Sequence, residues 1–242
     1  MALINYEKCV GCGNCIDYCP LEAISLKDDK AHIDQDICTN CYVCIRNKVC
    51  PVGAIERPEL NTFIEQFQHI ISDPTETTAE TGVPGRGTEE SKTNDVTGRV
   101  KKGEVGICID MGRPGIGCRL RDVEKVAMAV TKAGLILEDK DATPLAMLME
   151  DNSIGKIKDE YLDTNLLSII IEGKCSIECF PRVIEALKTV EKQIDTVFSL
   201  GVIVRVDENG NSPILEEIEK LGLPRPYRGK VNVGLGRPLI TD

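Results

Sequence analysis

A cysteine repeat in the first 50 residues constrains this chain more than any other feature. Three cysteines spaced by three residues recur 29 positions later, and each triplet is followed by a Cys-Pro pair. Cysteines at i, i+3 and i+6 wrap a loop around one metal centre, and their soft thiolates match iron. The spacing therefore predicts two metal centres within residues 1–57. The repeated positions are Cys9, Cys12, Cys15 and Cys19 in the first copy, and Cys38, Cys41, Cys44 and Cys50 in the second.

In this pattern the sequence resembles the bacterial-type dicluster ferredoxins over residues 1–57. The resemblance implies two [4Fe-4S] clusters that carry single electrons, with the fourth cysteine of each run binding the other cluster. It assigns Cys9, Cys12, Cys15 and Cys50 to cluster one, and Cys38, Cys41, Cys44 and Cys19 to cluster two. A zinc site is a poor alternative, because regular triplets with Cys-Pro pairs are not the four-ligand pattern of zinc.

The second run departs from the first, because five residues separate Cys44 from Cys50. We expect the two extra residues to bulge outward beside cluster one. Arg46 and Lys48 would then lie near that cluster, and their positive charge would raise its reduction potential. Two alternatives stay open, since the insertion would also be compatible with a weakened cluster one or with a three-iron cluster.

The sequence divides into four segments. After the cysteine-rich module, residues 58–71 predict a helix that begins at Pro58 and buries an apolar face. Residues 72–103 are rich in Thr, Glu, Gly and Ser, which is typical of a linker or extended loop. Residues 104–242 form a second domain.

The second domain has the pattern of an α+β fold. Strands and helices alternate as β-α-β-β-α-β, which is the ferredoxin-like split βαβ arrangement. That name describes a fold and implies no cluster. The four strands of this arrangement are predicted at Glu104–Met111, Leu135–Glu138, Leu166–Glu172 and Thr196–Asp207, and its two helices at Arg119–Ala133 and Glu178–Ile194. A short helical stretch is predicted at Pro144–Glu150, and an extra helix at Ile214–Leu221 and a final strand at Lys230–Leu235 follow.

A glycine-rich turn follows the first strand of this domain. The stretch from Gly112 into the next helix is similar to ACT-type regulatory domains, which bind amino acids or pair with another copy. The resemblance implies small-ligand contacts at Gly112, Arg113, Gly115 and Gly117. The alternative is a tight turn with one solvated arginine.

Four further cysteines lie in the second domain, at Cys108, Cys118, Cys175 and Cys179. We expect strands one and three to be adjacent and parallel, so that the loops that follow them meet at one end of the sheet. Cys118, Cys175 and Cys179 would then converge. They are interpreted as small buried side chains, with a redox or persulfide pair and a third metal site as alternatives.

Net charge and composition limit the partners. The formal charge of −10 disfavours nucleic acid and anionic membranes, and no apolar run reaches the length of a membrane helix. Because thiols that bind metal must stay reduced, we expect a cytoplasmic protein of an anaerobe. Apolar residues around Ile203 predict an open sheet face that pairs in a homodimer or hetero-complex, while Cys108 and Asp110 face water on strand one.

Three functions fit these features. The first is an electron carrier for a redox enzyme, with the second domain used for docking or regulation. The second is an iron–sulfur subunit or accessory factor of a larger redox complex. The third is an enzyme of sulfur metabolism that uses Cys175 and Cys179.

Overall fold

The computed structural model describes residues 1–73, 75–76, 98–113, 116–206, 209 and 211–223. These residues form two hydrophobic cores. The smaller core lies within the cysteine-rich module and includes Ile24, Ile33 and Tyr42. The larger core surrounds a four-stranded sheet in the second domain.

The cysteine-rich module is built from short elements. Strands β2 (Ile24–Lys27) and β3 (Lys30–Ile33) form a hairpin, and its turn places Asp28 and Asp29 at φ of 50° and 57°. Positive φ at both turn residues is the type I′ geometry that matches strand twist. Strand β1 (Leu3–Ile4) pairs with β4 (Ile55–Glu56), which closes the two ends of the module, and α1 (Val43–Arg46) lies between them in sequence.

Helix α2 (Phe63–Ser72) begins later than the sequence predicts. Its N-cap is Thr62, whose hydroxyl accepts from the Glu65 amide at 3.3 Å while Glu65 Oε2 accepts from the Thr62 amide at 3.0 Å. This reciprocal capping box satisfies two amides that would otherwise lack partners, so the helix starts there and not at Pro58. Phe67 and Ile71 join the core of the second domain.

The second domain contains a sheet of four strands, β5 (Glu104–Met111), β7 (Ile136–Leu137), β11 (Ile169–Ser176) and β12 (Phe198–Ile203). The sheet is fully antiparallel, with strand order β12-β5-β11-β7. Strands one and three of the domain, β5 and β11, are adjacent as expected. The prediction that β5 and β11 are parallel is wrong, because each strand of this sheet runs antiparallel to its neighbours.

Two helices cover one face of the sheet. Helix α3 (Leu120–Ala133) follows β5 and helix α4 (Phe180–Val190) follows β11, so strands and helices come in the predicted chain order. Gly134 ends α3 with φ of 108°, as expected of a C-cap glycine.

Short strands β6 (Cys118–Arg119) and β10 (Asn165–Leu166) pair, as do β8 (Met149–Asp151) and β9 (Lys156–Ile157). Helix α5 (Pro213–Lys220) comes last among the described elements, and 3-10 turns occupy Pro144–Leu148, Asp159–Tyr161 and Glu191–Gln193.

The prediction that the other face of the sheet is open to water is wrong. Cys108 and Glu172 face away from the helices, yet each is only 2% exposed. Part of the cover comes from the segment just before β5, where Arg205 Nη1 donates to the Val100 carbonyl and Lys174 Nζ donates to the Arg99 carbonyl. The last residues of the predicted linker therefore pack on the sheet.

Several expectations fall on residues that the structure does not describe. These are the strand at Lys230–Leu235, most of the segment 72–103, and Gly115 of the glycine-rich turn. Among the described residues, no helix has both the length and the apolar content needed to cross a membrane.

Candidate metal centre

Four cysteines from both copies of the repeat surround one cavity in the module. This first cysteine group consists of Cys9, Cys12, Cys15 and Cys50, and apolar side chains complete the lining. The cysteine after the second triplet thus joins the first triplet. Cys12 is exposed, whereas Cys9 and Cys15 are 7% exposed. The first group therefore reaches the molecular surface at one ligand position.

The other four cysteines surround a second cavity. This second cysteine group consists of Cys19, Cys38, Cys41 and Cys44, with Ala2, Ile24 and Ile33 among the apolar neighbours. None of its four side chains is exposed. Both cavities thus combine three cysteines of one run with the last cysteine of the other.

Backbone amides point at the sulfur atoms of both groups. The Ala23 amide donates to Cys19 Sγ at 3.2 Å, and the Ala54 amide donates to Cys50 Sγ at 3.1 Å. These equivalent bonds come from the repeated phrase in which an alanine follows the Cys-Pro pair by three residues. Such bonds favour the thiolate form and influence the reduction potential of a bound cluster.

In the first group, burial raises the pKa of the Cys15 thiol, whereas the pKa of the Cys9 thiol is lowered. The amides of Ala31 and Gly11 lower the pKa of the Cys9 thiol. Gly11 has φ of 69°, and a Cβ atom there would lie 2.1 Å from the Asp29 carbonyl oxygen. Only glycine therefore fits between the hairpin turn and this group.

Burial dominates the second group. It raises the pKa values of Cys38 and Cys41, and it raises the pKa of Cys44 to about 12 with further contributions from the charges of Cys41, Cys38 and Cys19. Four clustered thiols cannot all ionise in an apolar cavity unless positive charge compensates them. The donor set therefore fits a multi-iron cluster with four thiolate ligands.

The insertion between Cys44 and Cys50 occupies a different place from the one predicted. Arg46 ends α1, donates from Nη1 to the Cys41 carbonyl at 2.9 Å and pairs with Asp73. The expectation that Arg46 lies beside cluster one is therefore wrong, because the extra residues form a helical turn that directs this side chain towards the second group. Lys48 is exposed and has φ of 51°.

A family model of the 4Fe-4S dicluster domain matches residues 2–57. A ferredoxin of Methanothermococcus thermolithotrophicus is 42% identical over 55 residues, which cover 88% of that protein and 22% of this chain. The chain belongs to the 4Fe-4S dicluster ferredoxin family. This dicluster domain carries two [4Fe-4S] clusters and transfers electrons. The family match does not extend to the second domain.

Other relatives of the dicluster domain include subunits of larger enzymes. A ferredoxin of Escherichia coli named YfhL is 36% identical over 79 residues, 30% of this chain and 81% of that protein. The pyruvate synthase subunit PorD of Methanocaldococcus jannaschii is 40% identical over 57 residues, 23% of this chain and 63% of that subunit. No solved structure matches the chain significantly.

A buried polar junction connects the second group of the dicluster domain to the second domain. Gln68, on α2, donates from Nε2 to the Asn165 carbonyl at 2.7 Å and to the Cys38 carbonyl at 3.3 Å. Its Oε1 accepts from Asn40 Nδ2 at 2.7 Å, and Asn165 Nδ2 donates to the Ile37 carbonyl at 2.7 Å. The backbone around Cys38 is thereby fixed to both α2 and β10.

The glycine-rich turn adds an apolar contact to this junction. Gly117 has φ of 80°, and a Cβ there would lie 2.9 Å from Leu21 Cδ2, so glycine lets Leu21 approach. A Cβ on Gly112 would lie 2.8 Å from the Gly117 carbonyl carbon, and Arg113 pairs with Asp110 at 3.6 Å. Gly117 is thus closely packed against the dicluster domain, whereas the contacts of Gly112 and Arg113 lie within the second domain.

His69 is 4% exposed and also belongs to the junction. Its Nδ1 lies 2.8 Å from the Asn40 carbonyl oxygen, and Nε2 lies 2.7 Å from Arg57 Nη2. Its ring also packs at 4.8 Å from that of Tyr42. No local pattern reveals this role or that of Gln68, because their partners lie far away in sequence.

The remaining cysteines do not converge as predicted. Cys118 pairs with Leu166 ahead of β11, whereas Cys175 lies near the far end of β11 opposite Val105. The two positions are at opposite ends of the sheet because β5 and β11 are antiparallel. Cys175 and Cys179 do interact, but both are buried, and burial raises the pKa of Cys118 and of Cys175 to about 12.

Proposed function

We propose that the protein passes single electrons to or from a redox enzyme through two [4Fe-4S] clusters. The observation that carries this proposal is the arrangement of eight cysteines around two separate cavities. In the proposed assignment, the first cysteine group binds cluster one and the second cysteine group binds cluster two. Each bound cluster supplies a one-electron acceptor, while the chain supplies thiolates, amide donors and exclusion of water.

The partner enzyme is proposed to meet the protein at the first group. Cys12 is exposed there, and Val10 and Val52, which line the same cavity, are 63% and 43% exposed. The second group instead lies beside the buried junction with the second domain. Since electron transfer needs close approach of the two redox centres, the exposed side of the first group is the natural contact.

The second domain is proposed to serve docking or regulation in a cytoplasmic protein. Its strand order, with a helix after β5 and another after β11, supports the split βαβ arrangement of ACT-like domains. Homodimer or hetero-complex formation through this domain and small-ligand binding at Gly112, Arg113, Gly115 and Gly117 remain parts of this proposal.

A second candidate is an iron–sulfur subunit or accessory factor of a larger redox complex. The named relatives favour it, since they include a pyruvate synthase subunit. The buried junction supports it too, because a domain fixed beside the second group can hold the clusters in one orientation towards an enzyme. A sulfur-transfer role for Cys175 and Cys179 has no such support, since buried thiols are poorly accessible.

A reductive titration under anaerobic conditions tests the proposed function. We expect two one-electron steps per chain at separate potentials, with the first group reduced at the higher potential. Solvent access at Cys12 favours the added electron there, whereas burial disfavours added negative charge in the second group. Electron paramagnetic resonance at fixed potentials measures both steps. Uptake of only one electron per chain would count against two working clusters.

A further inference from the structure

Arg46 is held at a defined position beside the second cysteine group. Its Nη1 donates to the Cys41 carbonyl at 2.9 Å and pairs with a carboxylate oxygen of Asp73. The Arg46 side chain is 28% exposed, so it is mostly shielded from solvent. A shielded guanidinium exerts a stronger electric field on its neighbours than one in water.

Asp73 is fixed as firmly as Arg46. Its side chain is 2% exposed, and Oδ1 accepts from the Thr75 amide at 2.9 Å and from the Thr75 hydroxyl at 2.7 Å. Its own amide donates to the His69 carbonyl at the end of α2. The two bonds from Thr75 hold the carboxylate in place beside Arg46. Asp73 therefore places a negative charge beside Arg46 from outside the dicluster domain.

The two charges act in opposite directions on any electron added near Cys41. The guanidinium stabilises an added electron, and the carboxylate destabilises it. Because Asp73 belongs to the end of α2, whose Phe67 and Ile71 pack in the core of the second domain, the position of the carboxylate is tied to that domain. The position of Arg46 is tied to Cys41 instead.

We propose that the Arg46–Asp73 pair sets the reduction potential of the cluster bound by Cys19, Cys38, Cys41 and Cys44. Arg46 raises this potential and Asp73 limits the increase. Both are positioning residues that act through charge on the second cluster without binding it. The proposal rests on the two-cluster function proposed above.

Four variants of the full chain test the pair. Asp73→Asn leaves the guanidinium without its counter-charge and should raise the potential of the second cluster. Arg46→Gln leaves a buried carboxylate and should lower it. Each change should alter the equilibrium constant for reduction at least tenfold, which is ~59 mV for one electron. The double variant Arg46→Gln with Asp73→Asn should return close to the wild-type potential, and Lys48→Gln is the matched control from the same insertion.

Potentiometric titration followed by electron paramagnetic resonance gives both potentials in each variant. The proposal predicts opposite shifts at the second cluster in Asp73→Asn and Arg46→Gln with the first cluster unchanged, and no shift at the second cluster in Lys48→Gln. Equal shifts at both clusters, no shift in Asp73→Asn, or a shift in the double variant as large as that in Asp73→Asn would overturn it. If Arg46→Gln does not fold, Asp73→Asn and the double variant still decide. A wild-type chain with about four irons, in place of about eight, would instead overturn the two-cluster function.

Discussion

Replacing Cys50 by Ala should disrupt the same cluster as replacing Cys9 and leave the other cluster intact. Cys50 follows the second triplet in sequence but lies with the first triplet around one cavity. Loss of one thiolate ligand labilises the cluster it holds, so iron should fall from about eight towards about four per chain. Iron analysis and electron paramagnetic resonance of the reduced protein measure the change.

The comparison with other single variants makes this prediction specific. The electron paramagnetic resonance signal that remains in Cys50→Ala should be the same as the one that remains in Cys9→Ala. The signal that remains in Cys19→Ala should be the same as the one in Cys44→Ala. Cys179→Ala is the control, because this buried cysteine lies outside both groups and should keep both signals. A Cys50→Ala spectrum that matches Cys44→Ala would show that each run binds its own cluster.

Replacing Gln68 by Leu should destabilise the second cluster far more than the first. Gln68 is 5% exposed. Its side chain donates to the Cys38 and Asn165 carbonyls and accepts from the side-chain amide of Asn40. Each buried polar group that loses its partner costs about 1–3 kcal/mol. The loop around Cys38 should then open more often and release iron faster.

Iron release to a chelator, followed by absorbance and by electron paramagnetic resonance, measures this effect. Gln66→Leu is the matched control, since Gln66 lies on the same helix but is exposed, and its side chain bonds only the Leu60 carbonyl among the described residues. The second cluster of Gln68→Leu should be lost first, and Gln66→Leu should behave as wild type. Equal rates in the two variants would contradict the role assigned to the junction.

The cysteine pattern allowed the metal centre to be anticipated because its information is local and repeated. Spacing within each run fixes which cysteines share a loop, and the dicluster resemblance supplied the exchange of Cys19 and Cys50. The hairpin was equally predictable, since Lys27-Asp28-Asp29-Lys30 separates two short alternating strands. In both cases the residues that determine the structure are neighbours in the chain.

Long-range contacts could not be predicted in the same way. The sequence predicts the wrong cysteine group for Arg46, because the position of its side chain depends on Asp73. Only the fold of α2 brings Asp73 close to Arg46. Asn165 and Gln68 are 97 residues apart and carry no pattern that marks them as partners. The orientation of β5 against β11 likewise depends on how neighbouring strands alternate in direction, and this separated Cys118 from Cys175.

The iron and acid-labile sulfide content of the anaerobically purified full chain tests the central claim most directly. Eight cysteines arranged as two four-thiolate sites predict about eight irons and about eight sulfides per chain. About four irons, or about seven irons from a three-iron and a four-iron cluster, would contradict the assignment of two [4Fe-4S] clusters to these cavities.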